Sequence, residues 1–300
     1  MNKIIKNYNL LVKNYQKIEK DSTEQEIHDK RVTLRRIFPI LAVYKINPSN
    51  VKNGEKAFKL FGKLRDIQVQ ILKLESTEPT PETIEYLAFL KELELELQIK
   101  VQKFCKKKKL VFPSIKKKSK IDKSKIFKKV DKSFNKLVER IELQSINDAE
   151  DVHKIRIEFK KFRYVIEILS YIEHIDEAKL ERLKHYQDKL GEIQDYEVLI
   201  KGITKFYKKR KNGEELNIET FERDQNQLIE NFDNELEMFV EVCRDVISQN
   251  NDVLDEELSV PIDQPVLNND TDNSVEESVI ENKDAAIINV DEKTSEEEVK

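Results

Sequence analysis

What is scarce in this chain narrows it first. Five glycines in 300 residues, with no tryptophan, favour helices over a sheet with many turns and leave nothing like a glycine-rich phosphate loop. Cys105 and Cys243 stand alone, without C-x-x-C or Cys/His spacing, so neither a disulfide framework nor a zinc site is expected and both thiols read as reduced and structural. The longest apolar runs, such as Ile40 to Tyr44, fall far short of a bilayer crossing. The start "MNKIIKNYNLLVKNYQK" breaks its apolar residues with Lys and Asn, so no signal peptide is read and the cytoplasm is the expected compartment. The four histidines offer little catalytic material. No Ser/His/Asp set is legible, and His174 and His185 lack metal-ligand spacing, so no catalytic residue, metal or cofactor is expected.

Charge, by contrast, is abundant and unevenly placed. The net value of −4 averages two regions. Residues 251–300 hold 16 acidic residues against 3 Lys, a net of −13, which leaves +9 for residues 1–250 from 51 basic and 42 acidic side chains. The acidic stretch has scattered apolar residues without a helical period, cannot bury enough surface to offset chain entropy, and reads as a disordered tail.

In the remainder the 3.6-residue period recurs and predicts an all-α fold, with helices near 3–20, 24–46, 50–75, 81–109, 123–147, 149–174, 176–209 and 217–249. The chain divides into a first bundle over 1–110, a linker over 111–122 and a second bundle over 123–250. The halves repeat one another in two places. "IHDKRVTLRRIFPIL" from Ile27 aligns with "VHKIRIEFKKFRYVI" from Val152 at an offset of 125, matching His28 to His153, Arg31 to Arg156, Arg35 to Lys160 and Arg36 to Lys161. "FGKLRDIQVQIL" aligns with "LGEIQDYEVLIKG" at an offset of 129, matching Gly62 to Gly191 and Asp66 to Asp195. The order is the same twice, which predicts duplicated helical bundles.

Helical geometry then sorts the polar residues. At about 100° per residue, His153, Arg156, Lys160 and Arg163 share one face for about 15 Å, beside an apolar seam of Val152, Ile155, Phe159, Phe162, Ile166 and Leu169. His28, Arg31 and Arg35 repeat the stripe, while Phe38 replaces Arg163 and Lys30 takes the seam position of Ile155. The first site is expected to be the less basic one. Like charges one turn apart repel by a few tenths of a kcal/mol unless compensated. Either acids on neighbouring helices neutralise them, with Asp66 and Asp195 the candidates, or an anion does.

The doubled pattern His-x-x-Arg followed by a basic pair, each time succeeded by a Leu/Phe-Gly-x-Leu/Ile-x-Asp element, resembles the CHAD family, the conserved histidine α-helical domain. "HKIRIEFKKFRYVIEIL" is an especially close match, and the resemblance covers about residues 1–250. It implies two four-helix bundles related by a pseudo-two-fold axis around a basic groove that binds inorganic polyphosphate without catalysis. Matched by position, the implied ligands are His28, Arg31, Arg35 and Arg36, with His153, Arg156, Lys160, Lys161 and Arg163. Whether the protein associates with polyphosphate granules is left open by the sequence.

The segment Lys103 to Lys136 adds 15 Lys against Asp122 and Asp131. Lys116, Lys117 and Lys118 in it are either a solvated surface or a secondary basic surface that captures a polyanion. Two rival classes remain open. A nucleic-acid binder is suggested by the basic charge and by Phe104, Phe162 and Tyr164 near it, although aromatics on an apolar face are more often core. An accessory module of a triphosphate- or polyphosphate-metabolising enzyme is suggested by relatives fused to CYTH domains, whose Glu-x-Glu-x-Lys signature occurs here only at Glu296, Glu298 and Lys300 in the acidic tail. The tail itself is read as a solubiliser or as a weak competitor for the groove.

Overall fold

Apolar residues three and four apart build nine α-helices among the described residues of this computed structural model, which describes residues 3–17, 23–116, 123–143, 145–208 and 218–257. They are α1 (Lys3–Lys17), α2 (Glu24–Val43), α3 (Gly54–Glu75), α4 (Pro81–Lys107), α5 (Lys123–Glu142), α6 (Ala149–Ser170), α7 (Glu177–Lys208), α8 (Glu219–Asn234) and α9 (Leu236–Glu257). The starts of the two histidine helices are fixed locally. Thr23 Oγ1 accepts from the Glu26 amide at 3.3 Å while Glu26 Oε2 accepts from the Thr23 amide at 2.8 Å, closing a capping box at α2. Asp148 Oδ1 accepts from the Asp151 amide at 3.0 Å at the start of α6.

Neighbours in sequence pack as neighbours in space. α1 lies on α2, α2 on α3 and α3 on α4; α5 lies on α6, α6 on α7, and α7 on α8 and α9. The halves join where α2 meets α6 and α3 meets α7, and α4 also reaches α7. Apolar burial crosses this junction. One cluster unites Ile71 and Leu74 of α3, Tyr86 and Leu90 of α4, and Tyr196, Leu199 and Ile203 of α7. Tyr207 of α7 donates to the Glu82 carbonyl of α4 at 2.9 Å. The two halves therefore share core.

Two expectations are corrected, and the beginning of the expected linker is described. The single helix expected over 217–249 is two, broken at Glu235, so five helices rather than four are described in the second half. No Pro or Gly marks the break. Tertiary contacts hold it: Lys189 Nζ of α7 binds Glu235 Oε1 at 2.7 Å, and Phe232 packs edge-on to Phe239 at 5.4 Å. The expected linker over 111–122 is tied to the first half at its beginning, since the Lys52 amide donates to Val111 O at 3.1 Å and Tyr8 Oη to Pro113 O at 2.7 Å. Residues 251–257, assigned to the tail, continue α9. The rest of the expected disordered tail, residues 258–300, lies outside the described residues, as do Lys117 and Lys118. None of the described helices is long and apolar enough to cross a membrane.

Candidate functional site

The seam of α6 fixes the direction of its stripe. Val152, Ile155, Phe159, Phe162, Ile166 and Leu169 are all buried, with Phe159 edge-on to Phe239 of α9 at 4.8 Å and Phe162 against Phe134 of α5 at 5.9 Å. With that face locked, His153, Arg156 and Arg163 are held half-buried beside it and Lys160 is buried. On α2 the buried residues Ile27, Leu34, Ile37 and Leu41 hold His28, Arg31 and Arg35 half-buried in the same way. Lys30, in the seam position of Ile155, is indeed buried. Because α2 packs on α6, both stripes come to the junction of the halves.

A cleft of about 340 Å³ opens there. Arg35 reaches it from α2, and Arg156 and Lys160 from α6. The opposite wall is α7, which contributes Gln187, Asp188, Gly191, Glu192 and Asp195. Three cations thus face three acids. Asp195 is one of the two acids expected to balance the stripe; Asp188 and Glu192 were not anticipated, and Asp66 lies exposed on α3. The expectation that the first half is less basic considered α2 and α6 alone. α7 adds the acids Asp188, Glu192 and Asp195 beside the second-half stripe.

The acids are themselves attenuated. Glu192 Oε1 receives Lys73 Nζ from α3 at 3.3 Å, and that ammonium also lies 3.8 Å from the Tyr196 ring centroid. Burial pushes the Asp195 carboxyl above its ordinary range, against the opposing pull of Arg156, Lys73 and Arg65, and Glu192 adds to the rise. Arg65 and Lys73 thereby join the site from α3, residues that pattern reading passed over. Arg65 was legible in principle, since it precedes Asp66 inside the second repeated element.

Of the other candidates, His153 Nδ1 is hydrogen-bonded to Gln194 Oε1 and Arg163 Nη1 donates to Gln187 Oε1, both across α6 and α7. Burial holds the His28 imidazole below its usual value; Arg65, Arg35 and Arg31 push the same way and Asp29 opposes. Arg31 lies 5.3 Å from the Phe58 ring centroid and passes over Gly62, where a Cβ would meet its Nε at 3.5 Å. Arg36 pairs with Glu167 of α6 at 2.9 Å and Lys161 with Glu158 at 2.7 Å; of the nine expected ligands, Arg35, Arg156 and Lys160 line the cleft, and His28, Arg31, Arg36, His153, Lys161 and Arg163 do not. Lys116 is exposed on the connecting segment.

Three pairings can be compared at positions related by the offsets of 125 and 129, and the third is a side-chain contact in both halves. His28 is opposed by Arg65, and His153 is bonded to Gln194. Arg31 covers Gly62, and Arg156 lines the cleft with Gly191. Phe38 packs edge-on to Phe58 at 5.7 Å, and Arg163 donates to Gln187. In the last case both members change together from apolar to polar.

Two glycines of α7 carry opposite expectations. A Cβ on Gly191 would meet nothing within 4 Å, so Gly191→Ala raises stability by about 0.5–1 kcal/mol through helix propensity. A Cβ on Gly202 would lie 2.2 Å from Tyr86 Oη, which is engaged with Gln70 Oε1 at 2.8 Å. Gly202→Ala therefore lowers stability by about 1–3 kcal/mol. Urea denaturation checks both, and shifts of the same sign contradict this packing.

Among the described residues no group of three or more His, Cys, Asp or Glu side chains is placed to hold a metal ion. Cys243 is buried in α9, which pushes its thiol pKa up. The sequence profile described as the CHAD domain matches residues 4–202. The crystal structure of the CHAD domain from the plant Ricinus communis is similar in fold, with a TM-score of 0.51 at 14% identity over 78% of this chain and 89% of that one. No curated protein matches.

Proposed function

Because the chain belongs to the CHAD family, we propose that it binds inorganic polyphosphate, or a comparably phosphate-rich polyanion, without catalysing its turnover. The observation that carries this reading is the convergence of Arg35, Arg156 and Lys160, from both histidine helices, on one open cleft. A polyphosphate carries about one charge per phosphate and offers oxygens in every direction, so guanidinium forks and ammonium groups spaced along helices can each take a phosphate. The described parts of residues 1–110 and 123–250 are then duplicated helical units whose stripes face one ligand. The compartment proposed is the cytoplasm, at polyphosphate granules where these form.

Nucleic acid fits less well. Base binding needs exposed aromatic platforms, and Phe162 is fully buried while Phe104 packs against the core. An accessory role beside a triphosphate- or polyphosphate-metabolising enzyme is compatible with the same cleft and adds no residue to it.

The test uses pH. A bound polyanion favours the imidazolium of His28, which burial and the neighbouring guanidiniums of Arg65, Arg35 and Arg31 hold below its ordinary value in the free protein. Binding therefore takes up protons and tightens as pH falls, by roughly three- to tenfold between pH 7.5 and 6. Calorimetric titration with polyphosphate, in buffers of different ionisation enthalpy, measures the affinity and the proton uptake together. Affinity that stays flat across that range contradicts the proposed role of His28.

A further inference from the structure

Charge on the two walls that face the histidine helices is opposite in sign. On α7 the cleft-lining positions are Gln187, Asp188, Gly191, Glu192 and Asp195, which fall on adjoining rows of one helical face. At the offset of 129 the same positions on α3 are Phe58, Lys59, Gly62, Lys63 and Asp66. Two acids in the second half thus correspond to two lysines in the first. Arg65, which acts on both His28 and Asp195, corresponds to the uncharged Gln194.

One observation bears on the register of this correspondence: Phe38 packs on Phe58 where Arg163 donates to Gln187. Gly62 lies under Arg31, whereas Gly191 lines the cleft with Arg156 and leaves open space. Lys59 is exposed and Lys63 half-buried, so neither is a core residue whose charge the fold requires.

We infer that the seat is polarised: a polyphosphate chain is held chiefly by the first half, through Arg31, Arg35, Lys59, Lys63 and Arg65, while α7 weakens the second half as a holding site. This inference rests on the polyphosphate reading above and adds to it the side of the junction that carries the affinity. The physical reason is competition. Asp188, Glu192 and Asp195 already occupy the field of Arg156 and Lys160, so an incoming phosphate there must displace or lie against carboxylates. Where Lys59 and Lys63 replace two of them, the phosphate adds to a surplus of positive charge.

Two double variants of the full chain test this, titrated with polyphosphate of defined length at low salt. Lys59→Gln with Lys63→Gln weakens binding by about tenfold or more, as expected for loss of two charged partners at partly exposed sites. Asp188→Asn with Glu192→Gln tightens it by about three- to tenfold, by removing like charge from the ligand's path. Circular dichroism and thermal melts confirm that each variant is folded. A wild type that binds polyphosphate while the lysine variant binds as tightly overturns the polarised seat and leaves the polyphosphate reading standing. Weaker or unaltered binding by the Asp188/Glu192 variant overturns it equally. A folded wild type that binds no polyphosphate removes the reading itself, and this inference with it.

Discussion

Replacing Arg35 and Arg156 together by alanine weakens polyphosphate binding at low salt by about a hundredfold or more. Each guanidinium is half-buried at the cleft, one from each half of the molecule. A hydrogen bond to a charged group contributes about 1.5–3 kcal/mol, and two such losses exceed the roughly 2.7 kcal/mol that separates a hundredfold in affinity. Neither residue belongs to the apolar seams, so the helical circular dichroism stays as in the wild type. Affinity within about threefold of wild type would remove the cleft from the binding surface, since Arg35 is its lining residue from α2.

Phe159→Ala has the largest effect expected on the fold. Its ring is fully buried, packs edge-on to Phe239 at 4.8 Å and lies 6.5 Å from Phe162, so it joins α6 to α9 at the centre of the seam. Deleting a buried phenyl ring removes its transfer free energy and leaves a cavity, at a cost of about 3–5 kcal/mol. Against the 5–15 kcal/mol that stabilises a typical domain, that is a large fraction. The urea midpoint falls accordingly, and a loss below about 1 kcal/mol shows that the site can collapse. The effect reaches function because the buried face of α6 sets the direction of its stripe.

The parts legible in the sequence are those carried by local pattern. The 3.6-residue period of α6 placed its seam correctly, residue by residue, because a helix packed in a core must repeat apolar side chains on one face. The Thr23 capping box is equally local, since Thr23 and Glu26 lie three residues apart. The stripe followed from the same geometry, and Asp195 from its repetition.

What was not legible depends on which helices touch. Asp188 and Glu192 look like an ordinary solvated face of α7, and only the packing of α7 against α6 makes them a wall of the cleft. The ion pair of Arg36 with Glu167 likewise depends on α2 lying against α6. The break at Glu235 has no Pro or Gly and is held by Lys189, far away in sequence. Helix boundaries set by a partner leave no mark in the chain that bends.

The central claim is tested most directly by competition on the full-length protein between polyphosphate and single-stranded RNA of matched charge, followed by fluorescence anisotropy of the labelled RNA. Both ligands depend steeply on salt, so salt titration alone does not separate them. The expected result is displacement of RNA by polyphosphate at concentrations where added RNA leaves bound polyphosphate in place. Displacement of polyphosphate by RNA at equal charge, or no polyphosphate binding by the folded wild type, would contradict it.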